Sequence, residues 1–245
     1  MEYGSVADDF FVNLNVQTTL ALPDNRETVL HYFEAVQKQF NSMASFYQRE
    51  PGRFVLEGDR ESNTYRWLEL QPHNLSAGYF NPPGLEAAYE LHRWLLDRSV
   101  YYMGASGLDV ENLDVLFGFN LNFAGNRDAI VGQAGLSGSP LAGLFDEPAR
   151  LIECEPSIVV ALDDGCYTQA RLHMETHSST YQVRTGEYED EPISVYLTIR
   201  QYQRPGVVLD VKAAFARQCQ LCEDIAERIL IPNVIQPISA AIAAS

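Results

Sequence analysis

Residues 113–123, LDVLFGFNLNF, set Leu113, Val115, Phe117, Phe119, Leu121 and Phe123 alternately against polar or small residues. Successive side chains on a strand point to opposite faces, so this period of two demands a strand with one face in a core and the other in water. Such half-wet strands belong to antiparallel sheets, because parallel strands are covered on both faces. Residues 10–20 repeat the pattern, with Phe10, Val12, Leu14, Val16 and Leu20 on one face and Phe11, Asn13, Asn15, Gln17 and Thr19 on the other. The two strands even share a tetrapeptide theme, NLNV at 13–16 and NLNF at 120–123.

The segments after these two strands are also alike. After the first, PDNRET offers Asp24 as an N-cap with Glu27 three residues on, and Val29, Phe33, Val36, Phe40 and Met43 recur at helical spacing. Short strands are then expected at 54–57, 65–71 and 75–80, and a helix from 85 with Leu85, Ala88, Leu91 and Leu95 inward. After the second, a Gly- and Ser-interrupted stretch at 126–147 occupies the place of a helix. Strands near 151–162, 166–177 and 193–203 and a helix over about 208–230 complete the series. Strand, helix, three strands and helix therefore occur twice, which predicts an α+β protein of two units, 1–104 and 105–245, linked around 100–112. The element order resembles that of helix-grip proteins, the TATA-binding-protein fold among them, and the resemblance implies sheets gripping long helices.

Charge argues against extending that resemblance to nucleic acid. The 33 acidic residues outnumber the 17 basic ones for a net charge of −16, and phosphate backbones and anionic lipids are bound by positive charge. Neither nucleic acid nor a membrane is an expected partner. The start, MEYGSVADDFF, lacks the basic and apolar regions of a signal peptide, and four cysteines in 245 residues are too sparse for a disulfide framework. Both point to the cytoplasm. The apolar C-terminus, ILIPNVIQPISAAIAAS, suits a tail on the protein's own core or a contact with a second subunit in a homodimer.

The most suggestive polar cluster is HMETH at 173–177. A three-residue hairpin loop at 163–165, with Gly165 left-handed, sets Val160 opposite Thr168, Ile158 opposite Ala170 and Cys154 opposite Met174, and gathers the apolar side chains on one face. On the other face it sets Glu155 opposite His173, Glu153 opposite Glu175 and Ser157 opposite Arg171. Tyr196 and Arg200 of the next strand share that polar face. Arg171, His173, Glu175, His177, Glu153, Glu155, Tyr196 and Arg200 are thus the candidate ligand-binding residues. His173, Glu175 and His177 are also the weak candidates for a metal or an acid/base pair. An ordinary amphipathic hairpin has the same pattern.

Other motifs carry less. Cys219 and Cys222 form a CxxC, but inside a helix and on its apolar stripe with Phe215, Ile225 and Ile229, where they read as small core residues. GQAGLSGSPLAG at 132–143 fits neither glycine-rich phosphate pattern, and GASG and GLSG are not nucleophile elbows. With no nucleophile, nucleotide or metal signature, no cofactor is expected. The leading expectation is a non-catalytic protein that binds a small molecule or another protein. The alternatives are an enzyme using the polar sheet face and an acidic partner or mimic that binds a basic protein.

Overall fold

The computed structural model describes residues 3–144 and 149–245. They form an α+β structure around a nine-stranded sheet in which every pairing is antiparallel. The two alternating stretches become the central strands β1 (Asp9–Thr18) and β6 (Val110–Phe123). They pair directly, with Val12 opposite Phe117 and Leu14 opposite Val115.

On one side of β1 stand β5 (Asn74–Phe80), β4 (Tyr65–Gln71), β3 (Arg53–Glu57) and β2 (Ser45–Glu50). On the far side of β6 stand β9 (Glu191–Tyr202), β8 (Thr168–Glu175) and β7 (Ser157–Ala161). Strand β2 had no alternation to announce it, because its side chains are mostly exposed on both faces of an edge.

The apolar face of the sheet carries Val12, Leu14, Val115, Phe117, Val195, Leu197 and Ile199, all buried under helices. Helices α1 (Arg26–Gln39), α2 (Leu85–Met103) and α5 (Val211–Ile225) lie against it, together with α3 (Arg127–Leu136). Helix α1 is capped one residue later than expected: Asn25 rather than Asp24 accepts from the Thr28 amide. Its side chain reaches the orphan donor in the first turn, which leaves Asp24 outside the helix.

The stretch at 126–136 is helical despite its glycines. Asn126 caps α3 by accepting from the Ala129 amide, and a side chain on Gly132 would collide with Leu151. Glycine there admits a close neighbour. A short helix, α4 (Thr180–Thr185), with a Ser179–Gln182 capping box, fills the link between β8 and β9. The C-terminal tail is also helical. Pro232 has no N–H to give the preceding turn, and the chain widens into a π-type stretch at Ala226–Ile235 before α6 (Gln236–Ala244). Leu230, Ile231, Ile235, Ile238 and Ala241 bury this tail in the protein's own core. Among the described residues no helix is long and apolar enough to cross a membrane.

Candidate ligand-binding face

Among the described residues the second face of the sheet carries no helix, and its side chains fall into rows set by the strand registers. One row is aromatic. Tyr65, Phe80, Phe11, Gly118, Tyr196 and His173 are directly opposed in turn across β4, β5, β1, β6, β9 and β8. Ring centroids are 5.2 Å apart for Tyr65–Phe80, 5.9 Å for Phe80–Phe11, 6.2 Å for Phe11–Tyr196 and 6.3 Å for Tyr196–His173. These are spacings at which aromatic pairs attract. Gly118 makes the row continuous, because a Cβ there would collide with the Phe11 ring.

The next row runs Trp67, Gly78, Asn13, Leu116, Thr198, Arg171 and Val159. A Cβ on Gly78 would strike both Asn13 Oδ1 and the Trp67 indole, so the indole lies over the glycine backbone. Among the described residues Asn13 Oδ1 is buried without a hydrogen-bond partner. A third row holds Ser76, Asn15, Asp114, Arg200 and Gln169. Asn15 Oδ1 accepts from Asn74 Nδ2 at 2.5 Å and Ser76 Oγ at 3.3 Å. Asp114 takes two bonds from Arg200, Nε–Oδ1 at 2.8 Å and Nη2–Oδ2 at 2.6 Å. The bonded carboxylate raises the Arg200 pKa above its already high ordinary value.

Over the second and third rows lies a hollow of about 710 Å³, which the aromatic row does not line. Its lining extends from Trp67 on β4 to Ser157 and Val159 on β7, seven adjacent strands, so the open face is concave. The volume lies in the range of pockets that hold small molecules. Arg171 projects into it from β8, exposed and, among the described residues, bonded only through Nε to Ser157 Oγ at 3.3 Å.

The structure brings some of the expected site residues together and separates others. Glu175 is the hub of HMETH: His173 Nε2 lies 3.3 Å from its Oε1, and His177 Nε2 lies 3.5 Å from its Oε2. The Tyr196 hydroxyl donates to the same carboxylate at 3.1 Å, and burial raises that phenol's pKa. This cluster sits at the His173 end of the aromatic row and does not line the hollow. Among the described residues no three His, Cys, Asp or Glu side chains converge as metal ligands.

Glu155 and Glu153 do not stand opposite His173 and Glu175. The register of β7 and β8 is shifted by two residues, with Ser157 opposite His173 and Val159 opposite Arg171. Asp163 causes the shift. Its carboxylate accepts from the Tyr167 and Thr168 amides, and Cys166 rather than Gly165 is left-handed (φ 57°), so the loop spans 163–167. A two-residue slip preserves the alternation of faces, but Ile158 and Val160, expected in the core, are exposed on the edge strand β7. Glu155 instead bonds the Thr176 amide and hydroxyl at 2.9 and 3.2 Å, and the amide bond holds its pKa below the usual carboxylate range.

Arg127 is the residue that sequence reasoning missed here. Fully buried at the start of α3, it donates to the carbonyls of Thr176, His177 and Glu189 and to the Glu191 carboxylate. Its neighbour Asp128 accepts from the Cys154 amide and the Thr176 hydroxyl. Together they pin the end of HMETH from beneath. The CxxC is buried as its helical stripe implied, and burial pushes the Cys219 thiol up to about 12. All four cysteines are free. No protein-family model matches the chain, and no curated protein resembles it in sequence.

Proposed function

We propose that the concave open face is a ligand-binding surface and that the protein is a non-catalytic, cytoplasmic binding protein. The hollow carries this reading: it combines a flat indole, an unpaired buried amide oxygen and a guanidinium without a carboxylate partner in one recess. A surface shaped only for water has no use for a five-ring aromatic row on its wet side.

The same proposal takes the fold as an internally duplicated helix-grip body. In support, β1 and β6 open the two halves and pair at the centre of the sheet. The last strand of each half, β5 or β9, flanks the first. The hollow then straddles the seam between the halves, where ligand sites commonly form.

The test is a thermal-shift screen of mixed small molecules and glycans against the native chain and Thr198→Trp, which fills the hollow. Ligands that raise Tm only in the native chain are the expected result. No shift, or equal shifts in both proteins, overturns it.

The enzymatic reading rests on Glu175, whose carboxylate lies between two imidazoles and a phenol. Under that reading Glu175 acts as a general base or metal ligand. It requires Glu175→Gln to abolish a turnover, or a bound transition metal, that the native protein displays.

A further inference from the structure

Given that the hollow is a ligand site, we infer that its ligand is an oligosaccharide, bound with a pyranose ring on the outer face of Trp67. The lining excludes the other common chemistries. A polyphosphate or nucleic acid would meet, among the described lining residues, one cation free of a carboxylate, Arg171, on a chain of net charge −16. A lipid or other apolar ligand would leave Asn13 Oδ1, already buried without a partner among the described residues, still unbonded.

A sugar ring offers what these residues lack. One face of a pyranose is a patch of C–H groups that suits an aromatic plane, and its edge carries adjacent hydroxyls that both donate and accept. The Trp67 indole lies over Gly78 with its Nε1 and Cε2 closest, and it borders the hollow. Asn13 presents an amide oxygen with no bond among the described residues, whereas Asn15 Oδ1 already accepts from Asn74 and Ser76 and Gln169 Nε2 already donates to the Cys166 carbonyl, so these two have only the other end of each amide left for a ligand. Asp114 and Arg200 neutralise each other and offer their remaining lone pairs and N–H groups as a fixed planar edge.

The hollow crosses seven strands, so it accommodates several rings in a row. Arg171, at the β7 end, suits a carboxylate on one of them. Uronate-bearing oligomers are therefore expected to bind more tightly than neutral ones.

The chain has two tryptophans, and Trp94→Phe leaves Trp67 as the sole indole emitter. This protein is titrated with hexasaccharides of β-1,4-linked glucose, β-1,4-linked N-acetylglucosamine and α-1,4-linked galacturonic acid, and in parallel with a set of aromatic and aliphatic carboxylic acids. Calorimetry on the native chain repeats each titration without the substitution. At least one hexasaccharide is expected to change Trp67 emission saturably, with Asn13→Ala weakening binding about tenfold. If the acids perturb Trp67 and no saccharide does, the oligosaccharide assignment falls while the hollow remains a ligand site. If neither does and calorimetry is silent, both fall.

Discussion

Asp114 and Arg200 face each other across β6 and β9 and are joined by two parallel hydrogen bonds in the floor of the concave face. Asp114 is buried, whereas the Arg200 side chain keeps 40% of its surface. Water therefore replaces part of what Arg200 loses when the pair is broken, and the cost is that of a partly screened pair. Asp114→Asn is expected to destabilise by about 1–2 kcal/mol, a fall in Tm of roughly 2–8 °C for a chain of this size. A urea titration that finds the variant as stable as the native chain would show that the pair only shapes the hollow.

Gly78 and Trp67 make the second prediction. The indole lies where a Cβ on residue 78 would stand, so Gly78→Ala has to push the ring or Asn13 away from the sheet. Overpacking of this kind costs about 1–3 kcal/mol. Near-ultraviolet circular dichroism should change together with stability, because the aromatic environment is rearranged. An unchanged spectrum would mean that Trp67 does not rest on Gly78.

The alternation of β1 and β6 made the central strands legible, and the wet-face positions of Asn13, Tyr196 and Arg200 followed from the same period of two. The hairpin at β7 and β8 shows the limit. Its faces were readable because parity survives a two-residue slip, but its register depended on where Asp163 placed its carboxylate. Half of the hollow was missed because Trp67, Ser76 and Asp114 come from strands far apart in sequence and are joined only by sheet order. A signal was present: Phe11, Tyr65, Trp67 and Phe80 are aromatic at positions where an ordinary wet face is polar. Arg127 gave no signal, since a single arginine beside a glycine-rich stretch does not reveal that it is buried.

Arg127 ties four backbone carbonyls, those of Phe123, Thr176, His177 and Glu189, and the Glu191 carboxylate to the start of α3, and its side chain has no exposed surface. Arg127→Met keeps the bulk but strands those acceptors in a buried site. A loss of about 3–5 kcal/mol is expected. Amide hydrogen exchange should accelerate first at 176–191, the segment the guanidinium holds. Arg127→Lys restores the charge without the planar fork and should recover only part of the loss. Uniform acceleration across the sheet would contradict this local role.

His92 governs how the protein responds to acid. It lies on α2 with no exposed surface, its ring 6.0 Å from that of Phe215 on α5, and among the described residues neither ring nitrogen has a partner. Burial lowers its pKa to about 3. The unfolded chain binds a proton at this residue near pH 6.5 and the folded chain does not, so stability falls as pH drops from about 6.5 toward 3. Within that window the slope from this one group approaches about 1.4 kcal/mol per pH unit. Glu155 adds to the same trend at lower pH, because its depressed pKa favours the folded state only while it is ionised and is lost as pH falls through the folded value. His92→Leu removes the unfolded-state proton and both unpaired nitrogens. Its urea midpoint should exceed that of the native chain at pH 4.5 by more than it does at pH 7.5. Parallel pH profiles for the two proteins would show that His92 is protonated alike in the folded and unfolded states.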